Sequence, residues 1–224
     1  MSSKTFVELY FDPGTRNIGE AIVSFRATAN KNTDIHYHTE FVKHVDCIGD
    51  ATNADTGAIL KNLSNYLKTD ANIEKFMELA NDPTKYDIEV AIEQQEGITK
   101  GPGGFNLAVA MIKMGTVSGA IFEFFSSKNI PVVFVSKKAK WMYSEKELEK
   151  YKPKKREQSN KVIGIKKRNY HKINTKRIVL DILKRQKTTK SNQILKWMQK
   201  NKSKAQHVQD SILGAMHRIK NRID

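Results

Sequence analysis

Thr5 to Gly19 reads TFVELYFDPGTRNIG, and this stretch decides the fold. Phe6 to Phe11 is rich in β-branched and aromatic residues, the composition of a strand. It runs straight into Asp12-Pro13-Gly14-Thr15, where proline fixes φ, glycine permits φ > 0 and the chain must bend. A carboxylate at the end of a buried strand sits in a costly place, because an unpaired buried charge costs several kcal/mol. Asp12 is therefore expected to have a cation or a polar site beside it, which the rest of the chain must supply.

Outward from this stretch, Gly19 to Ala29 alternates apolar and polar residues and reads as a second strand, paired to the first through the Asp12 turn. Asp34 to Val45 is a third strand, and three strands in succession predict an antiparallel meander. Asn53 to Ala80 reads as helical, with a break near Asp70 and a stop at Asn81-Asp82-Pro83. Ile88 to Gln94 is a fourth strand. Its Ile88, Val90 and Ile92 share one face, so Glu89, Ala91 and Glu93 share the other. A glycine-rich loop, Glu96 to Gly104, leads to a helix over Phe105–Phe125 that is apolar nearly all round. A surface helix needs only one apolar stripe. This one needs two covers, the sheet on one side and another chain on the other. Ile130 to Ser136 is a fifth strand.

Composition then shifts. Lys137 to Lys190 holds 20 of the 39 Lys and Arg residues against 5 acidic ones. Ser144–Tyr151 reads as a short helix, Gln158–Ile165 as a loop, and Asn174–Gln186 as an amphipathic helix capped by Asn174. Two more helices, Ser191–Lys200 and Ser203–Ile223, close the chain. The last has Val208, Ile212, Met216 and Ile219 as its buried stripe.

A chain of 224 residues can bury a sizeable core. It is read as one α/β domain over 1–224 with a basic insert at roughly 138–174. The net charge of +15 implies a polyanionic partner, most often nucleic acid. No apolar run is long enough to span a bilayer, and Met1-Ser-Ser-Lys has no leader character. The single cysteine, Cys47, excludes an internal disulfide and suits a reducing compartment. A cytoplasmic location is expected. Lys152 to Arg156 resembles a nuclear import signal, although phosphate contact is the better reading there.

The residues that carry chemistry are two strand-borne carboxylates, Asp12 and Glu93, and the start of the last helix. There His207 and Asp210 stand three apart and face the same way. Such a set suits phosphodiester chemistry with divalent cations, in which two ions about 3.5–4 Å apart serve the attacking and leaving oxygens. Taken in isolation, Asp12 reads better as a turn aspartate, Glu93 as a strand-end glutamate, and His207 and Asp210 as a surface helix start. Glu89, on the face of Glu93, competes with it. His36, His38 and His44 read as strand histidines rather than zinc ligands.

The order β-β-β-α-β-α-β-α, with Asp on the first strand and Glu on the fourth, resembles the ribonuclease-H-like fold, a mixed five-stranded sheet flanked by helices. The similarity is greatest to the RuvC-type Holliday junction resolvases. Asp12-Pro13-Gly14 matches that family's D-x-G turn, Ile92-Glu93-Gln94 its I-E-Q motif, and His207, Asp210 and Ser211 its last-helix motif. The long basic insert departs from the bacterial pattern and resembles the divergent resolvases of large DNA viruses.

The resemblance implies a homodimeric endonuclease that cuts four-way DNA junctions by paired symmetric nicks. It implies two Mg²⁺ ions per site, with Mn²⁺ able to substitute, held by Asp12, Glu93, His207 and Asp210. His207 would be either a ligand or the group that positions water. The insert and its flanks would hold the DNA arms through Lys137, Lys138, Lys140, Lys154, Lys155, Arg156, Lys166, Lys167, Arg168, Lys172 and Lys176. No membrane and no small-molecule cofactor is expected. Three alternatives stay open: a ribonuclease H acting on hybrids, a non-catalytic binder of structured DNA, and a sugar-kinase or actin-like ATPase. The last is suggested by Asp12 to Gly19, but no second glycine-rich phosphate loop follows.

Overall fold

The computed structural model describes residues 4–14, 17–26, 37–46, 56–94, 104–136 and 168–223. Strands β1 (Thr5–Pro13), β2 (Asn17–Arg26) and β3 (Tyr37–Asp46) form the antiparallel meander. Helices α1 (Thr56–Thr69) and α2 (Ala71–Leu79) lead to β4 (Tyr86–Gln94), which pairs parallel with β1. Helix α3 (Gly104–Ser126) returns the chain to β5 (Val132–Ser136), parallel to β4. The sheet order is β3-β2-β1-β4-β5. Helices α4 (Arg168–Gln186), α5 (Thr189–Lys200) and α6 (Ala205–Ile223) follow. The result is the expected ribonuclease-H-like α/β arrangement, a mixed five-stranded sheet flanked by helices.

Strand β1 is central and buried on both faces, which is why it reads as an almost continuous apolar run. Its Val7, Leu9 and Phe11 face Ile59, Leu63 and Leu67 of α1, Ile73 and Phe76 of α2, and Val117, Ile121 and Phe125 of α3. Tyr10 points the other way, with Ala21, Val23 and Ala91, into a second core. There α4 contributes Ile178, Val179 and Leu183, and α6 the predicted stripe Val208, Ile212, Met216 and Ile219. Each such fully buried side chain contributes about 1.5–3 kcal/mol.

Local chemistry sets the boundaries. The break near Asp70 is a helix junction. The Asp70 carboxylate accepts hydrogen bonds from the backbone N–H groups of Asn72 and Ile73, capping α2, and pairs with Lys43 of β3. Helix α3 ends in a reversal at Asn129, whose φ is 58°. The Ile130 N–H donates to the Phe125 carbonyl at 3.1 Å, and the Asn129 N–H to that of Ser126 at 3.0 Å. That cap uses the Ile130 donor, so β5 starts at Val132 rather than at the predicted Ile130.

The predicted cap at Asn174 is incorrect. Helix α4 starts at Arg168 and Asn174 lies inside it. No Gly or Pro falls between Arg168 and Gln186, and an interior Asn costs a helix only a fraction of a kcal/mol, roughly 0.7 at most. The short helix over Ser144–Tyr151, the loop over Gln158–Ile165 and Cys47 lie outside the described residues. No described helix is long and apolar enough to cross a membrane.

Candidate functional site

Strands β1 and β4 run parallel and in register, with Phe11 beside Ile92. One residue further, Asp12 and Glu93 stand together at the end of the middle of the sheet. Both are buried, at 4% and 0% exposure. They share the face of Tyr10 and Ala91, which looks toward α6.

The first turns of α6 bring the other two predicted residues to this edge. His207 Nδ1 lies 3.0 Å from Asp12 Oδ2. The Tyr10 hydroxyl donates a long hydrogen bond, 3.4 Å, to Glu93 Oε2. Burial holds this phenol far above its ordinary pKa, and the charges of Glu93, Asp12 and Asp210 push it the same way. Tyr10 therefore stays protonated amid three carboxylates. Asp12, Glu93 and Asp210 thus all act electrostatically on one phenol, and His207 reaches the same edge through its contact with Asp12.

Two glycines let α6 come this close. Asp12, Gly19 and His44 are lateral neighbours across β1, β2 and β3. A Cβ on Gly19 would stand 2.4 Å from the backbone C and O of His207, so the helix start occupies the missing side chain's place. Gly214, two turns on, does the same against Tyr10. The Ser211 hydroxyl donates to the His207 carbonyl at 2.8 Å and steadies the first turn. On the far flank of His207, the His44 ring centroid lies 6.4 Å from its own. Burial lowers the His44 pKa, and Lys204 and His207 lower it further against the pull of Asp46.

The same sheet face carries a second carboxylate pair four residues back, Glu8 on β1 beside Glu89 on β4. Here the end of α6 supplies arginines. Arg222 donates to Glu8 Oε2 at 2.7 Å and also pairs with Asp87, and Arg218 donates to Glu89 from Nε at 3.1 Å. Glu8 is fully buried, and its pKa is raised well above normal by burial and by Glu89, against the lowering effect of both arginines. Glu89, the competitor of Glu93, is thus an ion-pair residue. The two ends of α6 treat carboxylates differently: one meets them with guanidinium groups, the other with His207 and a further carboxylate.

Asp12, Glu93 and Asp210 offer the hard oxygen donors that suit Mg²⁺ or Mn²⁺, and His207 an imidazole nitrogen. Their spacing is looser than a bound ion would impose: among the described residues, no three His, Cys, Asp or Glu side chains stand close enough together to hold a metal. The donor types fit a divalent cation.

Of the predicted DNA contacts, Lys176 is exposed on α4, and Arg168 and Lys172 lie on the same helix. The side chains of Arg168 and Lys172 lie outside the described residues, as do Lys137, Lys138, Lys140, Lys154, Lys155, Arg156, Lys166 and Lys167. Sequence reasoning missed Tyr10, Gly19, Gly214 and His44. Tyr10 was within reach, since residues two apart on a strand share a face. Nothing in the sequence marks Gly19 or Gly214 as contact points, because that role requires knowing which helix lies over which strand.

No protein-family model and no curated protein matches the chain. Among solved structures, the chain is similar to Thermus thermophilus RuvC, with 13% identity over 63% of this chain and 75% of that one and a TM-score of 0.38. It is similar to T. thermophilus RuvC in complex with a Holliday junction substrate, with 15% identity over 61% and 68% and a TM-score of 0.38. An exopolyphosphatase from Cytophaga hutchinsonii is matched with 13% identity over 61% and 36% and a TM-score of 0.32.

Proposed function

We propose that this protein is a divalent-cation-dependent endonuclease that resolves four-way DNA junctions by paired, symmetric nicks. The observation that carries the reading is the meeting of buried Asp12 and Glu93, on adjacent parallel strands, with His207 and Asp210 of α6. Three carboxylates gathered at one sheet edge are ill suited to a polyanion unless cations intervene. Asp12, Glu93 and Asp210, with His207, would hold the ions. Such ions supply Lewis-acid polarisation of the phosphate and activation of water.

The chain's own groups do the rest. The Asp12 contact fixes the His207 ring through Nδ1 and leaves proton exchange with a water to Nε2. Tyr10 holds the Glu93 carboxylate by donating to it. A net charge of +15, with 20 of 39 cationic side chains between Lys137 and Lys190, gives the duplex arms their phosphate contacts. A four-way junction has near two-fold symmetry. A two-fold dimer would present one site to each of two opposed strands.

The test is cleavage of a labelled four-way junction with Mg²⁺ or Mn²⁺, with an RNA–DNA hybrid as the parallel substrate. Wild type is expected to cut the junction at paired positions and leave the hybrid intact. Asp12→Asn, Glu93→Gln and Asp210→Asn are each expected to bind the junction without cutting it. Cutting of the hybrid alone would make the protein a ribonuclease H. Binding without any cutting would make it a structural DNA-binding protein.

A further inference from the structure

The row formed by Asp12, Gly19 and His44 across three strands continues the site beyond its carboxylates. His207 sits over Gly19, touches Asp12 on one flank at 3.0 Å and faces the His44 ring on the other at 6.4 Å. Lys204, the residue before α6, is exposed and stands three positions ahead of His207; its charge and that of Asp46 act on the His44 ring in opposite senses. The Lys204 backbone N–H donates to the Asn201 carbonyl at 3.0 Å, which fixes the point from which its side chain leaves the helix start.

The lysines around β3 differ in how their charge is used. Lys43 is paired with Asp70, and Lys190 with Glu40. Lys204 has no ion-pair partner among the described residues. An exposed ammonium at the start of the helix that carries His207, whose ring faces His44, is an arrangement that accepts an anion. Lysine can only donate hydrogen bonds, and histidine can donate one from either ring nitrogen.

We propose that His44 and Lys204 form a phosphate-holding lip, which binds a backbone phosphate of the nucleic-acid strand entering the site. The inference rests on the nuclease reading above and adds to it a place for the strand. The strand runs along the β3 side of His207, and the lip offsets the repulsion that Asp12, Glu93 and Asp210 exert on a polyanion. Phosphate contacts of this kind fix register and carry no sequence information.

The experiment is equilibrium binding of a four-way junction, without divalent cation, over a salt series, for wild type, Lys204→Gln, His44→Ala and His44→Gln. Lys204→Gln is expected to reduce the slope of log affinity against log salt by about one unit. His44→Ala is expected to weaken binding about tenfold, the loss of one charged hydrogen bond. His44→Gln, which keeps a donor, is expected to recover part of that loss, which a merely packing role would not allow. Thermal melts check that each variant is folded; Lys204 is exposed and its replacement leaves the core intact. Wild-type slope and affinity in both Lys204→Gln and His44→Ala overturn the lip and leave the nuclease reading standing. A wild-type protein that binds no junction overturns both.

Discussion

Gly214 of α6 presses bare backbone onto the ring of Tyr10 of β1, and a Cβ there would stand 2.3 Å from Tyr10 Cζ. The ring cannot yield, because Tyr10 is 1% exposed and packed into the core between the sheet and α6. Gly19 makes the matching contact under His207. Two missing side chains, one on the sheet and one on the helix, thus set the height of α6 above the carboxylates.

Gly214→Ala is therefore expected to destabilise the protein despite its better helix propensity. Overpacking costs about 1–3 kcal/mol, against a propensity gain of up to about 1 kcal/mol for replacing glycine in a helix. Urea unfolding measures the balance. A Gly214→Ala protein more stable than wild type would mean that α6 does not rest on Tyr10.

Arg222 answers a buried carboxyl group. Arg222→Met takes from Glu8, at 0% exposure and with its pKa raised by burial, its closest hydrogen-bond donor, and is expected to cost about 1–3 kcal/mol. Adding Glu8→Gln should recover part of that cost, because the buried carboxyl that Arg222 served is gone. A double-mutant cycle at neutral pH reads the coupling. Additive losses would show that the pair is not coupled.

The fold was legible because its cues were local. Strand alternation, the Asp12 turn and the apolar stripe of α6 each lie within a short window, and all place elements close to where they stand. The candidate site was read for a different reason, the order of short motifs. Asp12, Glu93, His207 and Asp210 were read together; the structure sets Asp12 and Glu93 on adjacent strands and brings His207 to Asp12, while Asp210 reaches the edge only through its charge. What stayed hidden depends on which helix crosses which strand. Glu89 and Glu93 look alike in sequence, and only the position of Arg218 separates an ion pair from a candidate site. His44 looked like an ordinary strand histidine until α6 put His207 beside it.

Glu20 predicts a pH dependence of stability. It lies buried on β2, accepts a hydrogen bond from the Tyr66 hydroxyl at one oxygen and has no partner at the other among the described residues. Burial raises its pKa from 4.5 to about 8. The folded protein therefore holds a proton that the unfolded chain releases above about pH 4.5. Stability from this group falls as pH rises from about 4.5 to about 8, then levels off, with a slope on the order of 1 kcal/mol per pH unit. Glu20→Gln should remove that slope and be the more stable protein at pH 8. Denaturant melts of both proteins across this range check it. Parallel curves would show that Glu20 titrates normally.

The last prediction concerns assembly. Helix α3 buries Val117, Ile121 and Phe125 against the sheet, yet its other side leaves Met111, Phe122 and, at 66% exposure, Ile112 in the open. Phe134 of the edge strand β5 is 48% exposed and stacks on Phe122 with centroids 5.6 Å apart. Beside Phe134 a groove of about 290 Å³ is lined by Met111, Met114, Gly119 and Phe134 and by Gln94, the neighbour of Glu93. A Cβ on Gly115 or Gly119 would meet nothing within 4 Å, so backbone is open there to close approach. A second copy of α3 related by a two-fold axis would cover this surface and set two sites side by side. In a monomer, Gly119→Ala should stabilise the helix by up to about 1 kcal/mol. In a dimer that packs on this face, it should weaken association. Met111→Asp with Met114→Asp should give a folded monomer that nicks one strand of a junction without the paired second cut. Sedimentation equilibrium decides first: a wild-type monomer at micromolar concentration, with and without junction DNA, would end the dimer proposal.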